Sequence, residues 1–205
     1  MQEALTAAER VALARHALRP GVSEYIAGLF TLFFEMRGDR LAGEDAAILG
    51  GVARYHGMPV TVIGTRKGHS MEENLRCRYG MPGPEGYRKA LRLMKQAEKF
   101  ARPVITFIDT PGAFPGVSAE ERGQGEACEL MTLTAPELLQ MGVIDGVIPE
   151  PEGGARQDEQ TQMALIDRAL SRELEALCPL SGRELAKQRM EEFRHIGQVR
   201  PEVRG

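Results

Sequence analysis

The stretch that decides the fold is Val104-Ile-Thr-Phe-Ile-Asp-Thr-Pro-Gly-Ala-Phe-Pro-Gly-Val-Ser-Ala-Glu-Glu-Arg-Gly-Gln-Gly125. Its apolar beginning, residues 104–108, predicts a buried strand. The prolines and glycines of residues 109–116 then force the chain to turn. Ser118, followed by two glutamates, is typical of a helix N-cap. A strand, a glycine-rich bend and a helix start expose backbone N–H groups, which can bind an anion or stabilise a developing negative charge.

The residues before this stretch place its strand in a parallel sheet. Residues 84–100 predict an amphipathic helix, because Pro84 suits a first turn and apolar residues recur on one face from Tyr87 to Ala97. Strands are predicted on either side of this helix, at residues 59–64 and 103–108. A strand, a helix and a second strand in this order imply parallel pairing, so the sequence predicts an α/β core.

The N-terminal residues predict two helices and a strand hairpin. Thr6 and Glu9 have the spacing of a capping box, which predicts a helix that runs to about residue 16. A second helix is predicted from Ser23 through an apolar series at helical spacing: Tyr25, Ile26, Leu29, Phe30, Phe33 and Phe34. This series is more apolar than one core needs, so it also predicts an interface with another chain. The hairpin strands are predicted at residues 47–55 and 59–64.

The other segments predict a functional loop and a helical C-terminal part. Residues 65–82 are basic, have no regular period, and are typical of a loop that binds a ligand or a partner. Further along, the sequence predicts a helix at 136–141, a strand at 143–148, and helices at 161–177 and 182–193.

Length and composition limit the possible classes of protein. The 205 residues suit one domain, with a helical arm at about 1–45, a core at about 46–150 and C-terminal helices at about 151–205. The net charge of −3 gives no argument for nucleic-acid binding, and no apolar run is long enough to span a membrane. Three widely spaced cysteines argue against a disulfide framework or a zinc site. We expect a cytoplasmic protein that binds no metal.

Several motifs point to one family. The strongest are Phe107-Ile-Asp-Thr-Pro-Gly-Ala-Phe-Pro-Gly116 and Ala119-Glu-Glu-Arg-Gly-Gln124. Others are Gly38-Asp-Arg40, Gly50-Gly-Val-Ala-Arg54, the block at 84–100 and the segment at 144–155. In this order they cover nearly the whole chain, which resembles the carboxyltransferase alpha subunits of bacterial and plastid acetyl-CoA carboxylase.

The resemblance implies a crotonase-like fold built from ββα units, with N- and C-terminal helical extensions. It implies that the chain acts with a beta subunit, as an alpha2beta2 heterotetramer, to transfer a carboxyl group from carboxybiotin to acetyl-CoA. The product, malonyl-CoA, begins fatty-acid biosynthesis. Implied partners are the biotin carboxyl carrier protein and biotin carboxylase, and zinc is expected on the beta subunit only. A subunit of a related biotin-dependent acyl-CoA carboxylase or decarboxylase is an alternative.

Carboxyl transfer passes through the enolate of the thioester and the ureido anion of biotin, so it needs fixed N–H donors. The candidate backbone donors belong to the bend: Gly112, Ala113, Gly116 and Val117. Candidates for binding the substrate or the carrier are Arg66, Lys67, His69, Asp109 and Glu120. Alternative roles are a turn residue for Asp109 and a helix-dipole complement for Glu120.

A basic cluster extends from the loop to the next helix. Its members are Arg66, Lys67, Arg76, Arg78, Arg88, Lys89, Arg92 and Lys95. It is a candidate site for the phosphates of CoA, although charges along a helix are often only solvated.

The chain departs from the family after Ala127. Residues 128–136 resemble family sequence that lies beyond a second glycine-rich loop, so on the order of 60 residues, about two strand–helix units, are missing. Either the deletion is genuine, or residues have been lost from the sequence and the backbone breaks between Gly123 and Leu130. Because the second loop would supply a further N–H donor, a genuine deletion predicts little or no activity. The alternative function is a non-catalytic scaffold that binds the beta subunit.

Overall fold

The computed structural model describes residues 6–14, 16–41, 43–109 and 134–196. The chain divides into two compact units, one formed by residues 1–115 and 150–167 and the other by residues 116–149 and 168–205. Helices and one mixed sheet make up the described part of the first unit, which confirms the α/β class. None of the described helices is long and apolar enough to cross a membrane.

The first unit is built on a four-stranded sheet with the order β1-β2-β3-β4. The strands are β1 Thr31–Glu35, β2 Ile48–Tyr55, β3 Met58–Thr65 and β4 Val104–Phe107. β2 pairs antiparallel with both β1 and β3, whereas β3 pairs parallel with β4. The predicted hairpin is therefore confirmed. Its turn has positive φ at both His56 (44°) and Gly57 (84°), which suits the twist of the flanking strands.

The long crossover helix covers one face of the sheet. The helix Pro84–Lys99, labelled α4 below, connects β3 to β4 as predicted. Leu93 on this helix is fully buried and packs against Ile48 and Ile63 of the sheet. A Cβ atom at Gly50 would lie 2.6 Å from the Leu93 side chain, so glycine is needed for this close approach.

The N-terminal helices precede the sheet. They are α1 Ala7–Ala14 and α2 Val22–Leu29. The predicted capping box of α1 is confirmed, because the amide of Glu9 donates to the Thr6 hydroxyl and the amide of Thr6 donates to the Glu9 carboxylate. The rings of Phe30 and Phe107 meet edge to face near the end of α2, on the sheet.

The prediction of one helix from Ser23 through Phe34 is wrong. The helix ends at Leu29, Phe30 has extended dihedral angles, and the chain continues as β1. The aromatic and β-branched residues after Phe30 favour a strand once β2 offers its edge for pairing. As a result Phe30 is buried, with 6% of its surface exposed, while Phe34 is 67% exposed. The predicted apolar surface therefore consists of Phe34 and its neighbour Leu32 rather than Phe30.

The loop predicted at residues 65–82 contains regular structure. It holds the helix α3 Met71–Arg76 and a 3₁₀ turn at Arg78–Gly80. Ser70 caps α3, because its hydroxyl accepts a hydrogen bond from the amide of Glu73. The short length of α3 explains why no helical period is visible in the sequence.

The second unit contains helices in its described part. The structure has α5 Ala135–Gln140, the C-terminal portion of α6 Glu159–Leu177, and α7 Gly182–His195. All three helices were predicted within a few residues, and Gly142 has the positive φ (69°) expected after a helix. The predicted strand at 143–148 is wrong. Residues 143–145 form bends and residues 146–148 have no regular secondary structure, without a partner strand among the described residues, and Val143, Val147 and Ile148 are exposed.

Candidate functional site

Four of the predicted site residues lie in the described part of the first unit, namely Arg66, Lys67, His69 and Asp109. The predicted N–H donors Gly112, Ala113, Gly116 and Val117 lie outside the described residues, as does Glu120. The site described below is therefore the one that the first four residues define.

The site forms where β3 and β4 end. Because these strands are parallel, their carboxyl ends lie at the same edge of the sheet, which is where open α/β sheets bind ligands. Strand pairing ends with Gly64 opposite Phe107. Beyond that point the Thr65 hydroxyl donates to the carbonyl oxygen of Asp109 at 3.0 Å and accepts from the Asp109 amide at 2.8 Å. A side chain thus continues the connection between the two strands.

Lys67 and Asp109 form an ion pair at this edge. The ammonium nitrogen of Lys67 lies 2.6 Å from Oδ1 of Asp109, and the two side chains are 24% and 48% exposed. Sequence reasoning placed both residues among the candidates but did not predict that they contact each other. The carboxylate of Asp109 therefore pairs with a side chain from the end of the neighbouring strand.

His69 is held by acceptors at both ring nitrogens. Its Nδ1 lies 2.7 Å from the carbonyl oxygen of Ala17, and its Nε2 lies 3.2 Å from Oε1 of Glu24. These contacts favour the doubly protonated ring, so the pKa of His69 is raised, first by the Ala17 carbonyl and then, against the opposing effect of burial, by Glu24. The positive form of His69 is therefore favoured relative to that of a free imidazole.

Arg66 is directed away from the other three residues. Its Nε donates to the carbonyl oxygen of Ala46 at 2.9 Å, and its amide donates to the carbonyl oxygen of Ala47 at 2.8 Å. These bonds anchor the end of β3 to the segment that precedes β2. Arg66 does not line the cavity that contains its neighbours.

Lys67, His69 and Asp109 line a cavity of about 260 Å³. Other lining residues are His16, Arg19, Gly68, Asn74 and Tyr79. A second cavity of about 210 Å³ shares Arg19 and Asp109 with the first and extends to Tyr25 and Phe107. The predicted residues Lys67, His69 and Asp109 therefore meet in a space that can receive a small chemical group.

Arg19 belongs to both cavities and was missed by sequence reasoning. It bonds to the carboxylate of Glu150, which raises the pKa of Arg19 and lowers the pKa of Glu150. The signal in the sequence was the helix break at Arg19-Pro20-Gly21, of which Arg19 and Gly21 line the cavity. Nothing in a single sequence connects that turn with Lys67.

Among the ionisable side chains that line the larger cavity, the basic ones outnumber the acidic ones. Arg19, Lys67 and His69 each have a carboxylate partner, but only Asp109 among those partners lines the cavity. Glu150 and Glu24 approach their cations from outside it. The arrangement favours an anionic group, such as a carboxylate or a phosphate.

Three of the predicted helix cations serve a different purpose. Arg88 bonds to the buried carboxylate of Asp39 at 2.7 Å, the fully buried Lys89 bonds to Glu44, and Arg92 donates to the carbonyl oxygen of Gly38 at 2.9 Å. All three hold the loop between β1 and β2 against α4. None lines the cavity of Lys67, so they do not extend its positive wall.

The sequence matches the model of a family described as acetyl co-enzyme A carboxylase carboxyltransferase-like, over residues 1–128 and 126–197. Similar proteins carry the name acetyl-coenzyme A carboxylase carboxyl transferase subunit alpha. The one from Geobacillus kaustophilus is 43% identical over 262 positions, covering 95% of this chain and 81% of the relative. The one from Anoxybacillus flavithermus is 42% identical over 256 positions, covering 92% and 79%. The one from Bacillus thuringiensis is 43% identical over 258 positions, covering 93% and 80%.

The alignment also locates the missing segment. It spans 262 positions, whereas 95% of 205 residues is about 195 residues, so about 67 aligned positions have no counterpart in this chain. The two parts of the family match meet at residues 126–128, where the motifs predicted the departure. The predicted backbone break between Gly123 and Leu130 lies outside the described residues. With matches on both sides of that point, the chain belongs to the acetyl co-enzyme A carboxylase carboxyltransferase-like family.

Proposed function

We propose that this chain is the alpha subunit of an acetyl-CoA carboxylase carboxyltransferase. It transfers the carboxyl group of carboxybiotin, presented by the biotin carboxyl carrier protein, to acetyl-CoA and so forms malonyl-CoA. The observation that carries this proposal is the family match over residues 1–128 and 126–197. The subunit works in the cytoplasm in an alpha2beta2 assembly, with zinc on the beta subunit and biotin carboxylase as the source of carboxybiotin.

The finer assignment of a crotonase-like fold belongs to the same proposal. It is supported by the order of elements in the first unit, where β2 and β3 form a hairpin, α4 crosses the sheet and β4 pairs parallel with β3. This order is one ββα unit followed by the first strand of the next.

The reaction needs donors for two anions and a place for the charged groups of its substrates. We assign the donors to the backbone amides of Gly112, Ala113, Gly116 and Val117, since glycines allow the backbone to approach a ligand closely. Glu120, in the predicted helix start, is assigned to contact with the carrier.

The cavity at the ends of β3 and β4 is assigned to an anionic group of the CoA ester or the carrier. Lys67 supplies positive charge there and pairs with Asp109, and His69 adds charge when its ring is doubly protonated. Arg19 adds a further cation to the same wall. Arg66 anchors the adjacent backbone, and its role in binding remains a prediction.

The proposal is tested by reconstitution. The chain is mixed with a beta subunit, biotinylated carrier protein, biotin carboxylase, ATP and bicarbonate, and malonyl-CoA formed from acetyl-CoA is measured over time. Beta subunit without this chain is the control for background turnover. Formation of malonyl-CoA that requires the chain supports the proposal, and turnover equal to the control contradicts it.

A second function, binding without catalysis, is favoured by the absence of about 67 aligned positions. The family resemblance implies that the missing positions include the second glycine-rich loop, and loss of one donor can cost about 3–4 kcal/mol in the barrier. In addition, β4 pairs on one side only among the described residues, and Ile108 beside it is 77% exposed. A stable complex with the beta subunit that forms no malonyl-CoA would identify this function, and light scattering measures the complex directly.

A further inference from the structure

The side chain of Thr65 holds the backbone of Asp109 by two hydrogen bonds. Its hydroxyl donates to the Asp109 carbonyl oxygen at 3.0 Å and accepts from the Asp109 amide at 2.8 Å. Both bonds lie beyond the last paired residues of β3 and β4, which are Gly64 and Phe107. The hydroxyl thus fixes a residue that ordinary strand pairing no longer reaches.

The position of Asp109 in turn sets where its carboxylate can pair with Lys67. Their ion pair is partly exposed, and such pairs contribute about 0–1 kcal/mol because solvent screens them. An interaction this weak cannot fix Asp109 against a free backbone. The two hydrogen bonds to Thr65 fix the backbone of Asp109, and its carboxylate then forms the ion pair with Lys67 at the cavity wall.

A third contact limits the alternatives open to Asp109. The backbone of Gly80 lies beside it, and a Cβ atom at Gly80 would be 3.4 Å from the Asp109 carbonyl oxygen and 3.2 Å from the Lys67 side chain. Gly80 also has φ of 78°, which a larger residue adopts only with strain. The 3₁₀ turn therefore closes one side of the Lys67–Asp109 pair, while Thr65 holds the other end.

We propose that Thr65 is a positioning residue, whose hydroxyl places the Asp109 carboxylate and the Lys67 ammonium at the wall of the cavity. The expected effect of Thr65 on carboxyl transfer rests on the proposed function, whereas its expected effect on the positions of Asp109 and Lys67 does not. Thr65 touches no substrate in this account and acts through Asp109. Its hydroxyl matters for the binding of the anionic group, and its methyl group does not.

The test compares three variants. Thr65→Val removes the hydroxyl and keeps the shape, whereas Thr65→Ser keeps the hydroxyl. The matched control is Thr61→Val on the same strand, since the Thr61 hydroxyl accepts a bond from Arg102 Nε at 3.0 Å and does not contact Asp109. Circular dichroism of each variant establishes that it is folded before any comparison.

The first readout is structural and needs no activity. We expect hydrogen exchange of the Asp109 amide to become at least tenfold faster in Thr65→Val only, because its acceptor is lost. We also expect the nuclear Overhauser cross-peak between the Lys67 ε protons and the Asp109 β protons to disappear in that variant alone. An unchanged exchange rate or an unchanged cross-peak in Thr65→Val overturns the proposal.

The second readout is carboxyl transfer by the reconstituted complex. Thr65→Val is expected to raise the apparent KM for the carrier or the CoA ester about tenfold, with a smaller change in kcat, because it displaces the ground-state binding group Lys67. Thr65→Ser is expected to restore the KM, and Thr61→Val to leave it near normal. If wild-type chain shows no turnover, the proposed function fails and the structural readout alone decides this proposal. If turnover is present and Thr65→Val keeps a normal KM, the positioning role is wrong.

Discussion

The ammonium of Lys67 lies 2.6 Å from the carboxylate of Asp109, although the two residues are 42 positions apart in the chain. The contact joins the ends of two parallel strands at the wall of a cavity of about 260 Å³. Since the pair is partly exposed, its contribution to stability is small. We propose that its importance lies in the charge that Lys67 presents to a ligand.

Lys67→Met is expected to weaken the binding of the anionic group that we assign to the cavity. The apparent KM for the carrier or the CoA ester should rise about tenfold while kcat changes less, as loss of ground-state binding does. The matched control is Lys95→Met, because Lys95 is exposed on α4 and does not line the cavity. Steady-state kinetics of the reconstituted complex provide both numbers. Equal KM values for the two variants would remove Lys67 from the binding site.

His69 is expected to make the cavity sensitive to pH. Its folded pKa is raised above 6.5 by the Ala17 carbonyl and by Glu24, with Glu73 also nearby, so its stabilising contribution is complete below the unfolded pKa. The contribution is lost as the pH rises through the folded pKa. In His69→Gln the melting temperature should therefore change less between pH 6 and pH 8 than in the wild-type chain. An NMR titration that places the pKa of His69 at or below 6.5 would contradict this account.

Leu93 is expected to be the most sensitive position of the described core. It is fully buried between α4 and the sheet, so Leu93→Ala should reduce the free energy of unfolding by about 2–5 kcal/mol. Leu91 lies on the same helix but is 52% exposed, and Leu91→Ala should change the free energy of unfolding by no more than about 0.5 kcal/mol. Urea unfolding measures both. Similar losses for the two variants would show that α4 does not pack on the sheet as described.

Phe34 is expected to contribute to the interface with the beta subunit. It is 67% exposed on the edge strand β1, beside Leu32, which is 77% exposed. Phe34→Ser should raise the dissociation constant for the beta subunit at least about tenfold, which is the range of an apolar anchor. Leu75→Ser serves as the control, because Leu75 is similarly exposed (62%) but lies on α3. Equal affinities of the two variants for the beta subunit, measured by calorimetry, would exclude Phe34 from the interface.

The sequence was sufficient to predict an element where its local pattern favours the same structure as its pairing or packing in the fold. The hairpin of β2 and β3 and the crossover helix α4 were predicted, because each has its own period and its own turn or capping residues. The residues after Phe30 were misjudged, since their helical spacing gave way to pairing with the edge of β2. The strand at 143–148 failed for the opposite reason, because an apolar run without a partner among the described residues forms no sheet.

The site was predictable in part. Lys67, His69 and Asp109 were proposed from a basic loop and a strand end, and the parallel pairing of β3 with β4 brings them together. Arg19 could not be found, because only the folding of the segment before α2 places it beside Lys67. Nothing in the sequence indicated that Arg66 lies apart from Lys67, His69 and Asp109, because its position depends on hydrogen bonds to the carbonyl oxygens of Ala46 and Ala47.

Transfer of a labelled carboxyl group from carboxybiotin on the carrier protein to acetyl-CoA tests the central claim most directly. The measurement is made with the beta subunit alone, with the beta subunit plus this chain, and with the variant Gly116→Val, whose side chain displaces the proposed donor loop. The account predicts labelled malonyl-CoA only when the chain is present, and a rate about a hundredfold lower for folded Gly116→Val, which is the scale of one lost donor. A wild-type chain that binds the beta subunit but transfers no label would contradict the claim and leave the binding function in its place.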